Sequence, residues 1–329
     1  MIICRTPLRI SFFGGGTDYP AWYRENGGGV LGTTINKYSY ITLRYLPPFF
    51  NYKYKIRYYK NEEVSSVDQI QHPSVRECLR YLKINEGIEL VHTADLPAQS
   101  GLGSSSTFTV GLLNALYALK TSMVTKRQLA LEAIKIEQDI IGEAVGSQDQ
   151  TAASFGGLNY ISFDSQRTFE VSPIIIPSAR TNALQESLIL VFTGFARTAS
   201  EFAAAQIKLI KDRTRELKLM TDLCAEALDV LCNVNLSLDE FGRLLGLQWD
   251  LKKSLSSLVS NEDLDRIYSL ALANGALGGK LLGAGGGGFM LFYVPKNEQS
   301  RCKEALKDFL TVPFLFESTG SKIVYYSHS

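Results

Sequence analysis

Alternating apolar and polar positions mark the first third of the chain. ICRTPLRISFF, the tyrosine-rich YSYITLRYL, YKYKIRYYK and IELVHTA have the spacing and β-branched or aromatic content of strands. The period then lengthens to that of helices, which are expected over 104–120, 125–144 and a shorter segment near 149–154. Strands GLNYISF and FEVSPIII follow, then a polar stretch around SARTNALQES, after which LILVFTG opens a second part. Long amphipathic helices are expected from about 198 to 274, followed by a Gly-rich turn, the strand FMLFYV, a helix over 297–310 and two short strands. Strands, then helices, then strands again predict an α+β protein with a boundary near 180–187, dividing the chain into domains 1–185 and 186–329.

A chain of 329 residues is long enough for two cores. The 45% hydrophobic and 20% charged content is that of an ordinary globular protein, and a net charge of +1 offers no electrostatic footprint for nucleic acid or an anionic membrane. The basic run KLIKDRTRELK carries Asp212 and Glu216 at helical spacing and reads as a solvated face. Five scattered cysteines without a CxxC pair argue against a disulfide framework or zinc site, and for a reducing compartment. MIICRTPLRISFF lacks the layout of a signal peptide, and no apolar run is long enough to span a bilayer, so the cytoplasm is the expected location. His72, His92 and His328 are far apart in the chain, which disfavours a histidine triad or metal cluster. The sixteen tyrosines are expected mostly in the core and on strand surfaces, with one from 52–59 a candidate to stack on an adenine.

The candidate chemistry begins at GLGSSST, residues 101–107, just ahead of a helical pattern. Helix N-termini carry unpaired N–H groups and partial positive charge, glycines allow close backbone approach, and serines add hydroxyls for phosphate or Mg²⁺. The same residues would also serve as a plain serine cap on a buried helix. Competing phosphate motifs fail: GALGGKL has three residues, not four, before its Gly-Lys pair and ends in Leu. Gly283, Gly285 and Gly288 satisfy GxGxxG, but a strand is expected where a nucleotide fold needs a helix.

Two further stretches decide between these readings. TPLRISFFGGGTDYP is a strand running into a triple glycine, and KLLGAGGGGF is a second glycine cluster between strands. With PAQSGLGSSS between them in the chain, they resemble the three motifs of the GHMP kinases and span nearly the whole chain. Within that family GGGTDYPAWY, GGGVLGTTINKYSYITL and GSQDQTAASFGGLNYISF are most similar to the anomeric sugar kinases, those of heptose 7-phosphate first and of fucose next. The resemblance implies a ribosomal-protein-S5-like N-terminal domain, a ferredoxin-like C-terminal domain, and an active site between them. It implies ATP and Mg²⁺, a small-molecule sugar phosphate as acceptor, and neither a nucleic-acid nor a membrane partner; it leaves the oligomeric state open.

Residue by residue, it implies ATP-phosphate binding by Pro97, Ser100, Gly101, Leu102, Gly103, Ser104, Ser105 and Ser106, and Mg²⁺ binding by Ser105 and Glu137. Asp149 stands at the catalytic aspartate of the galactokinase branch, and Arg9 at the basic residue of the first motif. Asp149 would also suit a helix N-terminus as a structural carboxylate, and homoserine kinase lacks such a base. Gly15, Gly16, Thr17 and Asp18 fall on the sugar-binding turn; galactokinases carry an acidic residue and a histidine where this chain has Gly15 and Gly16. Losing both side chains makes room for a substrate extended by a phosphate, for which Arg197 and, more weakly, Lys37 are candidate cations. The alternatives are a hexose anomeric kinase, a catalytically silent sugar sensor, and a decarboxylase of the mevalonate branch, which the GGGTDY turn fits poorly.

Overall fold

The computed structural model describes residues 1–166, 168–194, 203–204 and 207–327. β1 (Ile2–Phe13) and β2 (Gly28–Tyr45) pair antiparallel, flanking the short helix α1 (Pro20–Asn26), and form the spine of a nine-stranded sheet. β1 alternates in burial only as far as Arg5; from Thr6 to Phe13 both faces are covered, as expected where helices lie on one side and a second domain on the other. β3 (Tyr54–Arg57), β4 (Asn61–Val64), β5 (Ile88–Ala94), β6 (Leu158–Phe163) and β7 (Phe169–Pro173) extend this sheet.

α2 (Pro73–Tyr81) and α3 (Ser104–Leu119) pack on it, burying Val75, Cys78, Leu79, Val110, Leu113 and Leu116 against Ile41, Leu43 and Leu90. α4 (Lys126–Ile134) starts at Thr125, whose hydroxyl accepts from the Gln128 N–H, a regular cap. The single helix expected over 125–144 is not formed. α4 widens into a π-helical turn at Lys135–Ile141 and stops at Gly142, which adopts φ +79°, before α5 (Gln148–Phe155) begins.

α6 (Ser178–Glu186) leads into a four-stranded antiparallel sheet of β8 (Leu188–Phe192), β9 (Gly278–Leu281), β10 (Phe289–Tyr293) and β11 (Leu310–Thr311). Its order, β11-β8-β10-β9, with α7 (Thr214–Cys232), α8 (Asp239–Leu255) and α9 (Glu262–Ala273) before β9 and α10 (Gln299–Ala305) before β11, is the ferredoxin-like arrangement. A division near 185 falls between the two sheets and stands as our domain proposal. The chain nevertheless returns: β12 (Phe316–Glu317) pairs with β2 and β13 (Lys322–Tyr326) with β1.

A shared core joins the halves. Phe12 and Phe13 of β1 meet Phe241 of α8 edge-on, at 5.4 and 5.1 Å between ring centres, within a cluster that also holds Leu8, Ile10, Phe289 and Leu291. The C-terminal ends of β1 and β9 are thereby held against each other, and a cavity of about 750 Å³ opens beside them.

Candidate active site

The cavity is built first by residues 99–106. Gly101 (φ +82°) lies so close to the second glycine cluster that a Cβ there would sit 2.3 Å from the Leu282 carbonyl oxygen. The Phe289 N–H donates to the Ser100 carbonyl at 3.1 Å. KLLGAGGGGF therefore buttresses the first loop from the other domain. Ser100, Gly101, Gly103, Ser104, Ser105 and Ser106 line the cavity, with the first turn of α3 opening onto it. Pro97 and Leu102 are not among the lining residues. The Pro97 carbonyl accepts from the Ser100 hydroxyl at 2.8 Å, while the Leu102 side chain is buried in the shared core and shapes the loop from behind.

Arg9 and Asp149, 140 residues apart, form a bidentate pair, with Nε donating to Oδ1 at 2.7 Å and Nη2 to Oδ2 at 2.8 Å. Arg9 Nη1 also donates to the Gly101 carbonyl at 2.6 Å, so one buried guanidinium ties the loop to the first turn of α5.

Gly15, Gly16 and Asp18 line the cavity too. The buried Asp18 carboxylate accepts from the N–H groups of Gly16 (3.0 Å) and Gln148 (3.3 Å). Burial, then the charge of Asp149, raises its pKa against those hydrogen bonds. Gly146 is required beside it, since a Cβ there would lie 1.8 Å from Asp18 Oδ2. Thr17 faces away from the cavity: its hydroxyl donates to the carbonyls of Gly14 (2.7 Å) and Gly29 (3.0 Å). It closes the turn and does not line the cavity.

Glu137 projects from the π-helical turn and is fully buried. Its Oε2 accepts from the hydroxyl of Ser106 at 2.7 Å and from Gln150 Nε2, while Oε1 has no partner. Burial pushes its pKa up to about 7 despite these bonds. Ser106, not Ser105, is the serine in contact with Glu137; Ser105 is exposed at the cavity wall, and the buried Ser104 hydroxyl is unpartnered. An unsatisfied carboxylate oxygen and nearby serine hydroxyls suit Mg²⁺, which takes one or two protein oxygens and completes its shell with phosphate and water, but Glu137 itself is not among the residues that line the cavity. Among the described residues no group of three His, Cys, Asp or Glu forms a metal cage.

Sequence reasoning missed Lys252 and Lys280, both buried and both lining the cavity. A signal existed for each: Lys252 falls on the core-facing stripe of α8 with Trp249 and Leu255, and Lys280 interrupts the buried strand GGKL. Lys37 is absent from the cavity lining; it lies on β2 where the pairing with β1 shifts register. Arg197 and His328 lie outside the described residues. His72 and His92 meet across the ring of Phe108, away from the cavity, and burial lowers both. The tyrosines of 52–59 are not among the cavity residues either.

Residues 73–157 match the model of the GHMP kinases N terminal domain, and residues 224–311 that of the GHMP kinases C terminal. The chain is 32% identical over 318 residues to the D-glycero-alpha-D-manno-heptose 7-phosphate kinase of Campylobacter jejuni, covering 92% of each. It is 25% identical to the bifunctional fucokinase/GDP-fucose pyrophosphorylase of Arabidopsis thaliana, over 90% of this chain and 30% of that protein. Among solved structures, a D-glycero-D-manno-heptose 1-phosphate kinase from Bacteroides thetaiotaomicron superimposes over 100% of both chains with TM-score 0.74 and 26% identity.

Proposed function

Because the chain belongs to the GHMP kinases, phosphotransferases with an alcohol acceptor, we propose that it is the sugar kinase of that family acting on a heptose phosphate. Its reaction, in this reading, carries the γ-phosphoryl group of ATP to the anomeric hydroxyl of D-glycero-D-manno-heptose 7-phosphate and forms the 1,7-bisphosphate, an activated sugar for surface-polysaccharide synthesis. The proposed compartment is the cytoplasm. The observation that carries the reading is the Arg9–Asp149 pair at the wall of a cavity that also holds Asp18 and the loop 100–106.

Phosphoryl transfer rests on positioning and charge. Backbone N–H groups at the start of α3 would hold the ATP phosphates, where the helix dipole favours anions. Asp149 would accept the proton of the anomeric hydroxyl as its oxygen bonds to the γ-phosphorus and the bond to the leaving ADP oxygen breaks. Arg9 keeps that carboxylate oriented through both of its oxygens, and Asp18 would fix the sugar through its hydroxyls. Mg²⁺, held by Glu137 and the serines of the first α3 turn, would neutralise phosphate charge when bound.

The similarity to a fucokinase favours one second reading, a hexose anomeric kinase. An assay of ADP release with heptose 7-phosphate, fucose, galactose and mannose separates the two, with NMR of the product locating the phosphate. The heptose phosphate should have the highest kcat/KM; a preference for fucose would replace our reading with the second.

A further inference from the structure

Lys252 and Lys280 reach the cavity from the second domain with few partners. Lys252 Nζ donates to the carbonyls of Leu281 (2.9 Å) and Gly283 (2.5 Å), and Lys280 Nζ to the carbonyl of Phe12 across the domain interface (2.7 Å). Both are more than nine-tenths buried, at 6% and 3% exposure. Among the described residues neither forms an ion pair. An ammonium has three N–H donors, so one remains on Lys252 and two on Lys280.

Position narrows the purpose of those donors. Phe12 lies just before the turn that carries Gly15, Gly16 and Asp18, and Gly283 packs on Gly101 of the phosphate loop. The pair thus stands between the acceptor turn and the ATP loop. Burial, with the charge of Arg9 added, lowers Lys252 to about 7; burial, with Lys252 and Arg9 added, takes Lys280 well below its ordinary value. The other ionisable groups acting on the pair do little to offset this. Arg9 is already matched by Asp149, Asp18 is itself raised by burial, and burial pushes the Cys224 thiol up to about 12 and keeps it neutral. Two adjacent buried cations with no counter-ion are costly, and a dianion in the cavity would compensate both.

Building on the kinase reading, we infer that Lys252 and Lys280 form a phosphate-recognition pair at the domain interface, completed by a phosphate group of a substrate. Two sources share that chemistry, the phosphate carried by the acceptor and the phosphate chain of ATP. If the lysines served only as neutral amines bonded to carbonyls, they would not distinguish phosphate-bearing ligands from phosphate-free ones.

Calorimetric titration of the full chain tests this with two matched pairs of probes, heptose 7-phosphate against free heptose and ATP against adenosine. Lys280→Met and Lys252→Met should each weaken the phosphate-bearing member of one pair by roughly 10-fold or more, the order for one hydrogen bond to a charged group, and leave its phosphate-free partner unchanged. The pair that responds identifies the source. Unchanged binding of both phosphate ligands, or equal losses within each pair, would overturn the inference. A second measurement needs no variant: at pH 8, titration of wild type in buffers of different ionisation enthalpy should show proton uptake with a phosphate ligand and none with its phosphate-free partner. Equal proton exchange within both pairs would overturn the inference as well. Should wild type ignore heptose 7-phosphate while ATP binding still depends on the lysines, the acceptor assignment fails and the lysine pair stands.

Discussion

Asp149 is held through both carboxylate oxygens by Arg9, and the same guanidinium holds the Gly101 carbonyl of the phosphate loop. The candidate proton acceptor and the candidate phosphate site therefore share one positioning cation. A bidentate pair sets the direction of the carboxylate, and 24% side-chain exposure leaves Asp149 open to a ligand in the cavity.

Asp149→Asn keeps the shape and one acceptor oxygen but removes the base and half of the ion pair. Turnover should fall by at least ~10²-fold while ATP affinity stays near wild type. Steady-state kinetics beside a nucleotide titration would check this. Near-normal turnover in a folded variant would leave Asp149 with only the structural role of a first-turn carboxylate.

Glu137 makes a prediction about pH. Its folded pKa of about 7 stands above the ordinary 4.5, so between these values the folded chain keeps a proton that the unfolded chain has released. The contribution of this group to stability is therefore lost as pH rises through that window and is flat above about 7. In metal-free protein, the unfolding free energy of wild type relative to Glu137→Gln should fall from pH 5 to pH 7. A difference independent of pH would show that the carboxyl titrates normally. The same variant should need more Mg²⁺ for half-maximal activity, and Ser105→Ala should shift this less, because only a neutral hydroxyl is lost.

How much of this was legible in the sequence depended on distance along the chain. The loop 101–106, the GGGTDY turn and Asp149 stand in contiguous motifs, so their positions could be read directly. The Ser106–Glu137 contact was not readable, because α4 widens into a π-helical turn and shifts which face Glu137 occupies. α6 was expected as a polar stretch; it buries only Leu184, so its apolar period is too weak to see. The return of β12 and β13 to the first sheet depends on strand pairing across some 280 residues or more, which no local pattern carries. Lys252 and Lys280 sat in plain apolar contexts, but only the packing of the two domains brings them to one cavity.

Thr17→Val separates the fold of the sugar turn from its chemistry. The hydroxyl donates to two carbonyls and accepts from the Gly29 N–H, all buried, so its loss should cost about 1–3 kcal/mol of stability. Chemical denaturation would measure this. A stable variant with raised sugar KM alone would instead return Thr17 to the substrate side.

Gly15→Glu tests why the turn lacks the acidic side chain of galactokinases. Gly15 has an ordinary negative φ, and a Cβ there would meet nothing closer than Gln148 Nε2 and Ser11 Oγ, both at 3.8 Å. Gly16 differs: its φ of +107° and a 3.3 Å approach to Leu217 make any side chain strained. A glutamate at 15 should thus fold and place its carboxylate in the cavity, where a phosphorylated acceptor is repelled in a partly buried setting. We expect kcat/KM for heptose 7-phosphate to drop by at least ~10-fold more than for an unphosphorylated hexose, with ATP KM unchanged. Arg197→Ala should raise KM for the phosphorylated sugar and leave ATP KM unchanged. If Gly15→Glu slows both sugars equally, its effect is steric, and the open turn says nothing about a phosphate on the acceptor.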